Sequence, residues 1–168
     1  MSDQISGRAL LLGDDVNTDL NCSGKYMPGK DEAYIAANAF TPVAPDFHKR
    51  FKAGDMLVAG RHFGINSSRE QATHVLKRMG VAAIIAKSFG RQFYRNAINN
   101  GLMVIECDTT GLQEGDALLL DLQNNRLSVQ GRDWQQSLTV LPPTIRALLR
   151  EGGLIPFLKK YPNWELPA

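Results

Sequence analysis

Hydrophobic residues in the middle of the chain alternate between short continuous runs and stripes with helical spacing. Residues 56–59 form one apolar run, and residues 81–86 form a longer one that is typical of a strand covered on both faces. The stripe between them has the spacing of an amphipathic helix and consists of Ala72, Val75, Leu76 and Met79. A second helix is predicted over residues 90–100, and a third strand over residues 102–105. This β-α-β-α-β order predicts a parallel sheet.

The two ends of the chain carry shorter patterns. A first strand is predicted at residues 7–12, and short helices are predicted at residues 32–39 and 45–51. The C-terminal third predicts three short strands followed by two helices, at residues 116–122, 126–130, 137–141, 142–150 and 154–161. We therefore predict an α/β fold in one domain over residues 1–168, with a parallel core and a C-terminal part rich in strands and helices.

The segment at residues 60–70 is the strongest candidate for chemistry. Ser67 and Glu70 stand in the S-x-x-E relation of a capping box, which predicts that the following helix begins at Ser67. A helix N-terminus presents free N–H groups and a partial positive charge, and Arg61 and Arg69 add two full charges. These features favour a site for a carboxylate or phosphate. The alternative, that Ser67 only caps its own helix, stays open.

Composition limits the classes of partner. The chain has 168 residues, of which 43% are hydrophobic and 21% charged, as in ordinary globular proteins. A net charge of +2 is too small to indicate nucleic acid or a membrane surface as a partner. Because we find no signal peptide pattern and no apolar run of membrane-spanning length, we expect a cytoplasmic protein.

Cysteine and histidine usage argues against a metal site in this chain. Cys22 and Cys107 are the only cysteines, and two thiols cannot ligate an iron–sulfur cluster or a structural zinc by themselves. The three histidines show no spacing typical of metal ligands. We therefore expect two reduced thiols and no cofactor bound by this chain alone.

Three blocks of sequence, read together, resemble one known family. They are G-D-D-V-N-T-D at residues 13–19, G-I-N-S-S-R-E-Q-A at residues 64–72, and A-I-I-A-K-S-F with F-Y-R-N-A-I-N-N-G-L within residues 83–102. In this order and spacing they resemble the small subunits of 3-isopropylmalate dehydratase, which are similar to the fourth domain of aconitase. The resemblance implies a single swivelling β/β/α domain.

The resemblance also implies an activity. Family members pair with a large subunit that carries a [4Fe-4S] cluster, and together they remove and re-add water on a small hydroxy-dicarboxylate. The cluster acts as a Lewis acid on the substrate hydroxyl. Whether the isolated chain forms a homodimer stays open.

The resemblance assigns roles to individual residues. Ser67 matches the base that takes a proton from carbon, and Asp19 matches a catalytic aspartate of the active-site wall. Ser68 and Arg69 match residues that bind a substrate carboxylate. In this family the loop that here covers residues 24–31 selects the substrate. Its Lys25 could meet a substrate carboxylate, and the alternative, that Lys25 and Lys30 are only solvated, stays open.

Substrate choice is less well determined than the class of reaction. Tyr26, Met27 and Pro28 suit an apolar substituent such as isopropyl, whereas Lys30 suits a longer acidic arm. Isopropylmalate, as in leucine biosynthesis, is the first expectation; homoaconitate, citramalate and 2,3-dimethylmalate remain alternatives. A non-catalytic anion-binding module and an inactive regulatory domain are the competing classes.

The chain departs from the family pattern at Asn66, where glycine is usual, and at Gln71, where histidine is common.

Overall fold

The structure is a computed structural model that describes residues 3–66 and 68–164. Seven strands lie in the described residues: β1 (Gln4–Leu11), β2 (Met56–Ala59), β3 (Ala83–Ala86), β4 (Val104–Glu106), β5 (Ala117–Asp121), β6 (Arg126–Val129) and β7 (Gln135–Ser137). The helices of the same residues are α1 (Thr18–Asn21), α2 (Glu32–Ala37), α3 (Phe47–Arg50), α4 (Gln71–Met79), α5 (Arg91–Asn99), α6 (Pro143–Arg150) and α7 (Leu154–Lys160).

All seven strands join one mixed sheet in the order β4-β3-β2-β1-β5-β6-β7. Strands β1 to β4 pair in parallel, and β5 to β7 continue the sheet from β1 in antiparallel pairs. The α/β prediction is thus confirmed, and β2, α4, β3, α5 and β4 form the predicted parallel unit.

Alternate residues of the parallel strands enter two hydrophobic clusters, one on each face of the sheet. On β2, Leu57 packs with the helices, in a cluster that includes Val75 of α4 and Phe93 of α5. Its neighbours Met56 and Val58 enter the second cluster with apolar residues of β5, β6 and α6. All four residues of β3 are buried, so the prediction that this run is covered on both faces is confirmed.

Two details of the predicted elements are wrong. The strand predicted at residues 137–141 lies instead at Gln135–Ser137, where it pairs with β6, and apolar Leu138 and Leu141 pack against the core from an irregular segment. Helix α1 was not predicted, because it lies in a segment that resembles a polar turn. Asn17 is its N-cap residue, and the Asn17 side-chain oxygen accepts hydrogen bonds from the backbone N–H groups of Asp19 and Leu20.

Among the helices of the described residues, none combines the length and the apolar character needed to cross a membrane.

Candidate active site

The loops that follow β1, β2 and β3 meet at the carboxyl edge of the parallel sheet, where open α/β sheets bind ligands. Hydrogen bonds between the loops tie them together. The Arg61 N–H donates to the Asp14 carboxylate at 2.7 Å, and the Gly64 N–H donates to the Val16 carbonyl at 2.8 Å. The Phe63 N–H donates to the carbonyl of Ser88 in the third loop at 3.0 Å. The three sequence blocks therefore converge on one edge.

The second loop has left-handed backbone at three positions, which are His62, Gly64 and Asn66. Gly64 has a φ of +78°, and a Cβ atom there would stand 2.3 Å from the Phe93 ring. Asn66 has a φ of +57°, so asparagine takes the conformation that the usual glycine would adopt.

Asp19 and Arg69 are brought together by these loops. Asp19 is buried in α1, whereas the Arg69 side chain is 50% exposed, and its Nε lies 3.8 Å from Asp19 Oδ2. Within residues 3–66 and 68–164, no other carboxylate lies within 4.0 Å of the Arg69 guanidinium. A buried carboxylate thus holds a cation whose side chain still reaches solvent, which is an arrangement suited to binding an anionic ligand.

The predicted start of the central helix is wrong. Helix α4 begins at Gln71, with Glu70 in the N-cap position and no side-chain cap. The Glu70 carboxylate accepts a hydrogen bond of 2.7 Å from the Asn100 side chain. Ser67, the predicted base and cap, lies outside the described residues.

Asn96 and Asn100 are site-supporting residues that the sequence reasoning did not single out. The Asn96 amide donates to the Ser68 carbonyl at 3.3 Å, and Asn100 donates to Glu70. Both asparagines lie on or just after α5, so α5 holds the backbone on which Ser68 and Arg69 stand. Their place in the third sequence block was the available signal.

The loop at residues 24–31 starts beside the Asp19–Arg69 pair. Ser23 is buried, and its hydroxyl donates to the Asp19 carbonyl at 2.8 Å and accepts from the Lys25 N–H at 3.2 Å. The Lys25 side chain is exposed. Lys30 lies over the ring of Tyr34, with its Nζ 4.8 Å from the ring centroid. Lys25 is thus tied through Ser23 to the backbone of Asp19.

The two cysteines do not fit an iron–sulfur cluster. Cys22 is fully buried in the helix-side cluster, and burial, with a smaller contribution from the nearby Asp19 charge, raises the pKa of its thiol. Cys107 packs on the other face of the sheet, and burial raises the pKa of its thiol to about 11. The two thiols also lie in different hydrophobic clusters on opposite faces of the sheet, so they are not placed to share one cluster.

The fold and the site define a class, that of the aconitase C-terminal domain, whose sequence profile matches residues 21–110. A 3-isopropylmalate dehydratase small subunit of Archaeoglobus fulgidus is 40% identical over 154 residues, which cover 91% of this chain and 96% of that protein. A methanogen homoaconitase small subunit of Methanocaldococcus jannaschii is 40% identical over 156 residues, covering 93% of this chain and 92% of that protein.

A solved structure shows the same relationship. The crystal structure of 3-isopropylmalate dehydratase from Methanocaldococcus jannaschii matches with a TM-score of 0.86 and 39% identity, over 95% of both chains. The chain therefore belongs to the family of 3-isopropylmalate dehydratase small subunits.

Proposed function

We propose that this chain is the small subunit of a heteromeric hydro-lyase that isomerises a hydroxy-dicarboxylate by dehydration and rehydration. 3-Isopropylmalate is the first candidate substrate. The observation that carries the proposal is the Arg69 guanidinium, half exposed and held by buried Asp19 where three loops of the sheet edge meet. Family membership supports the reaction class, and this geometry supports the place where the substrate carboxylate binds.

Each residue of the site then has a distinct role. Arg69 binds a substrate carboxylate through its planar array of N–H donors, and Asp19 keeps the guanidinium oriented. The Ser68 hydroxyl adds a hydrogen bond to the same carboxylate. Ser67 takes the proton from carbon, a role that rests on the sequence resemblance alone.

The remaining half of the site belongs to a partner chain in this proposal. The large subunit holds the [4Fe-4S] cluster, which supplies Lewis acidity toward the substrate hydroxyl when bound there. This chain, as one swivel domain over residues 1–168, supplies the side of the active site that binds the substrate carboxylate, through Arg69 and Ser68, and accepts the proton, through Ser67.

A homoaconitate-type acid is the alternative substrate. The chain is 40% identical both to the dehydratase small subunit of A. fulgidus and to the homoaconitase small subunit, so identity does not separate the two. Lys30 stacks on Tyr34, whereas Lys25 is tied through Ser23 to Asp19. Lys25 is therefore the better candidate of the two for meeting a distal carboxylate.

A reconstitution assay tests the proposal. The chain is mixed without oxygen with its candidate large subunit, loaded with iron and sulfide, and the ultraviolet absorbance of the new C=C bond is followed. 3-Isopropylmalate, homocitrate-type acids, citramalate and 2,3-dimethylmalate are compared. We expect turnover of one acid that requires both chains. A formed complex with an intact cluster that acts on none of them would contradict the proposal and favour an anion-binding module.

Arg69→Lys is expected to lower kcat/KM of the reconstituted enzyme roughly ten- to hundredfold. Lysine keeps the charge but loses the planar pair of donors that matches a carboxylate. Steady-state kinetics measure the loss, and Arg78→Lys at the exposed end of α4 is the matched control. Equal kinetics for Arg69→Lys and the unmodified chain would show that Arg69 does not bind the substrate.

A further inference from the structure

Gln71, the first residue of α4, is bonded to the start of the loop at residues 24–31. Its Oε1 accepts a hydrogen bond of 2.7 Å from the Gly24 N–H. A Cβ atom on Gly24 would stand 2.9 Å from the same oxygen, closer than such contacts normally occur. The loop backbone therefore passes directly against the Gln71 amide.

The far end of this loop is attached to the same helix. Asp31 ends the loop and caps α2, accepting from the Tyr34 N–H at 2.8 Å. Glu32, the next residue, lies with its Oε1 3.5 Å from His74 Nδ1 of α4. Helix α4 thus lies against both ends of the loop, bonded to Gly24 through Gln71 and close to Glu32 through His74.

These contacts join the loop to the candidate active site. Arg69 contacts Asp19, and two residues later Gln71 contacts Gly24. Ser23 closes the connection, because its hydroxyl bonds to both the Asp19 carbonyl and the Lys25 N–H. The position of Lys25 relative to Arg69 therefore depends on the two bonds of the Ser23 hydroxyl and on the bond between Gln71 and the Gly24 N–H.

We propose that Gln71 is a positioning residue for substrate selection, acting through the Gly24 N–H to set the distance between the 24–31 loop and Arg69. The inference rests on the proposed function, because it assigns the loop to the same substrate. Gln71 does not touch the reacting atoms in this proposal. Its removal shifts the preference between an apolar and an acidic substituent, rather than stopping the reaction.

The test compares Gln71→Ala with Gln71→Glu, which retains an oxygen acceptor for the Gly24 N–H. Two quantities are measured on the reconstituted complex: the hydrogen exchange of the Gly24 amide, and the ratio of kcat/KM for 3-isopropylmalate to that for a homocitrate-type acid. We expect Gln71→Ala to accelerate exchange and to change the ratio about tenfold. Gln71→Glu is expected to restore both toward the original values. Gln92→Ala, at an exposed position in the first turn of α5, is the matched control.

Gly24→Ala gives an independent arm, because its methyl group would collide with the Gln71 amide. Gln71→Ala removes that amide. The double variant Gly24→Ala/Gln71→Ala is therefore expected to change the ratio of the two kcat/KM values by less than the sum of the two single effects. If the hydrogen-exchange rate of the Gly24 amide is unchanged in Gln71→Ala, the proposal that Gln71 positions the loop is wrong, whatever the activity of that variant. Faster exchange with an unchanged ratio would overturn the role in selection. An unmodified complex that is inactive on every acid would instead contradict the proposed function, and the role in selection would fall with it.

Discussion

Ser67→Ala is expected to reduce turnover of the reconstituted enzyme about 10²- to 10⁴-fold, the usual contribution of a general base. Alanine cannot accept the proton from carbon, whereas the binding contacts of Arg69 and Ser68 remain. The subunits should still associate and the substrate should still bind. Absorbance of the C=C product measures turnover, and sedimentation measures association.

Ser68→Ala is the control for this prediction, because it removes an equivalent hydroxyl one residue away. The Ser68 contact with Asn96 uses the backbone carbonyl and survives the substitution. We expect Ser68→Ala mainly to raise KM, since its proposed role is to bind carboxylate in the ground state and the transition state alike. A Ser67→Ala enzyme with more than about a tenth of the original kcat would contradict the assignment of the base.

The parallel core could be predicted from the sequence because each of its elements has a strong local signal. The run over residues 81–86 contains β3, buried along its whole length, and the stripe that ends at Met79 coincides with the end of α4. Gly80 closes that helix in the left-handed conformation, as its position predicts. These signals can be read from the sequence because the spacing of hydrophobic residues and the glycine that ends a helix both involve residues close together in the chain.

The details of the candidate site depend on contacts between residues distant in sequence. Glu70 carries a capping signal, yet its carboxylate accepts a hydrogen bond from Asn100, 30 residues further along the chain, and α4 begins at Gln71. The contact between Gln71 and Gly24 has no local sequence pattern either, because it joins the start of α4 to a loop 47 residues earlier in the chain. The residues of the Asp19–Arg69 pair could be named through the family resemblance, but their separation and burial required the structure.

Gly64→Ala is expected to destabilise the fold by about 2–5 kcal/mol, from two separate effects. The first is the left-handed backbone, because Gly64 has a φ of +78° and a Cβ atom is unfavourable there by about 1–2 kcal/mol. The second is the collision with the Phe93 ring at 2.3 Å, which adds about 1–3 kcal/mol of overpacking. Phe93 is buried and packs edge-on against Phe63, with ring centroids 5.2 Å apart, so it has little room to move away.

Gly115→Ala separates the two effects, because Gly115 has a similar φ of +85° but no atom within 4 Å of the added methyl group. It should therefore show the backbone cost alone, about 1–2 kcal/mol, in denaturant unfolding of the isolated chain. Gly64→Ala should exceed it by the cost of the collision and should also reduce activity, since Gly64 lies in the loop that carries Arg69 and is bonded to the Val16 carbonyl. Equal destabilisation by the two substitutions would mean that the Phe93 ring yields, and that the close contact between this loop and α5 does not determine the shape of the site.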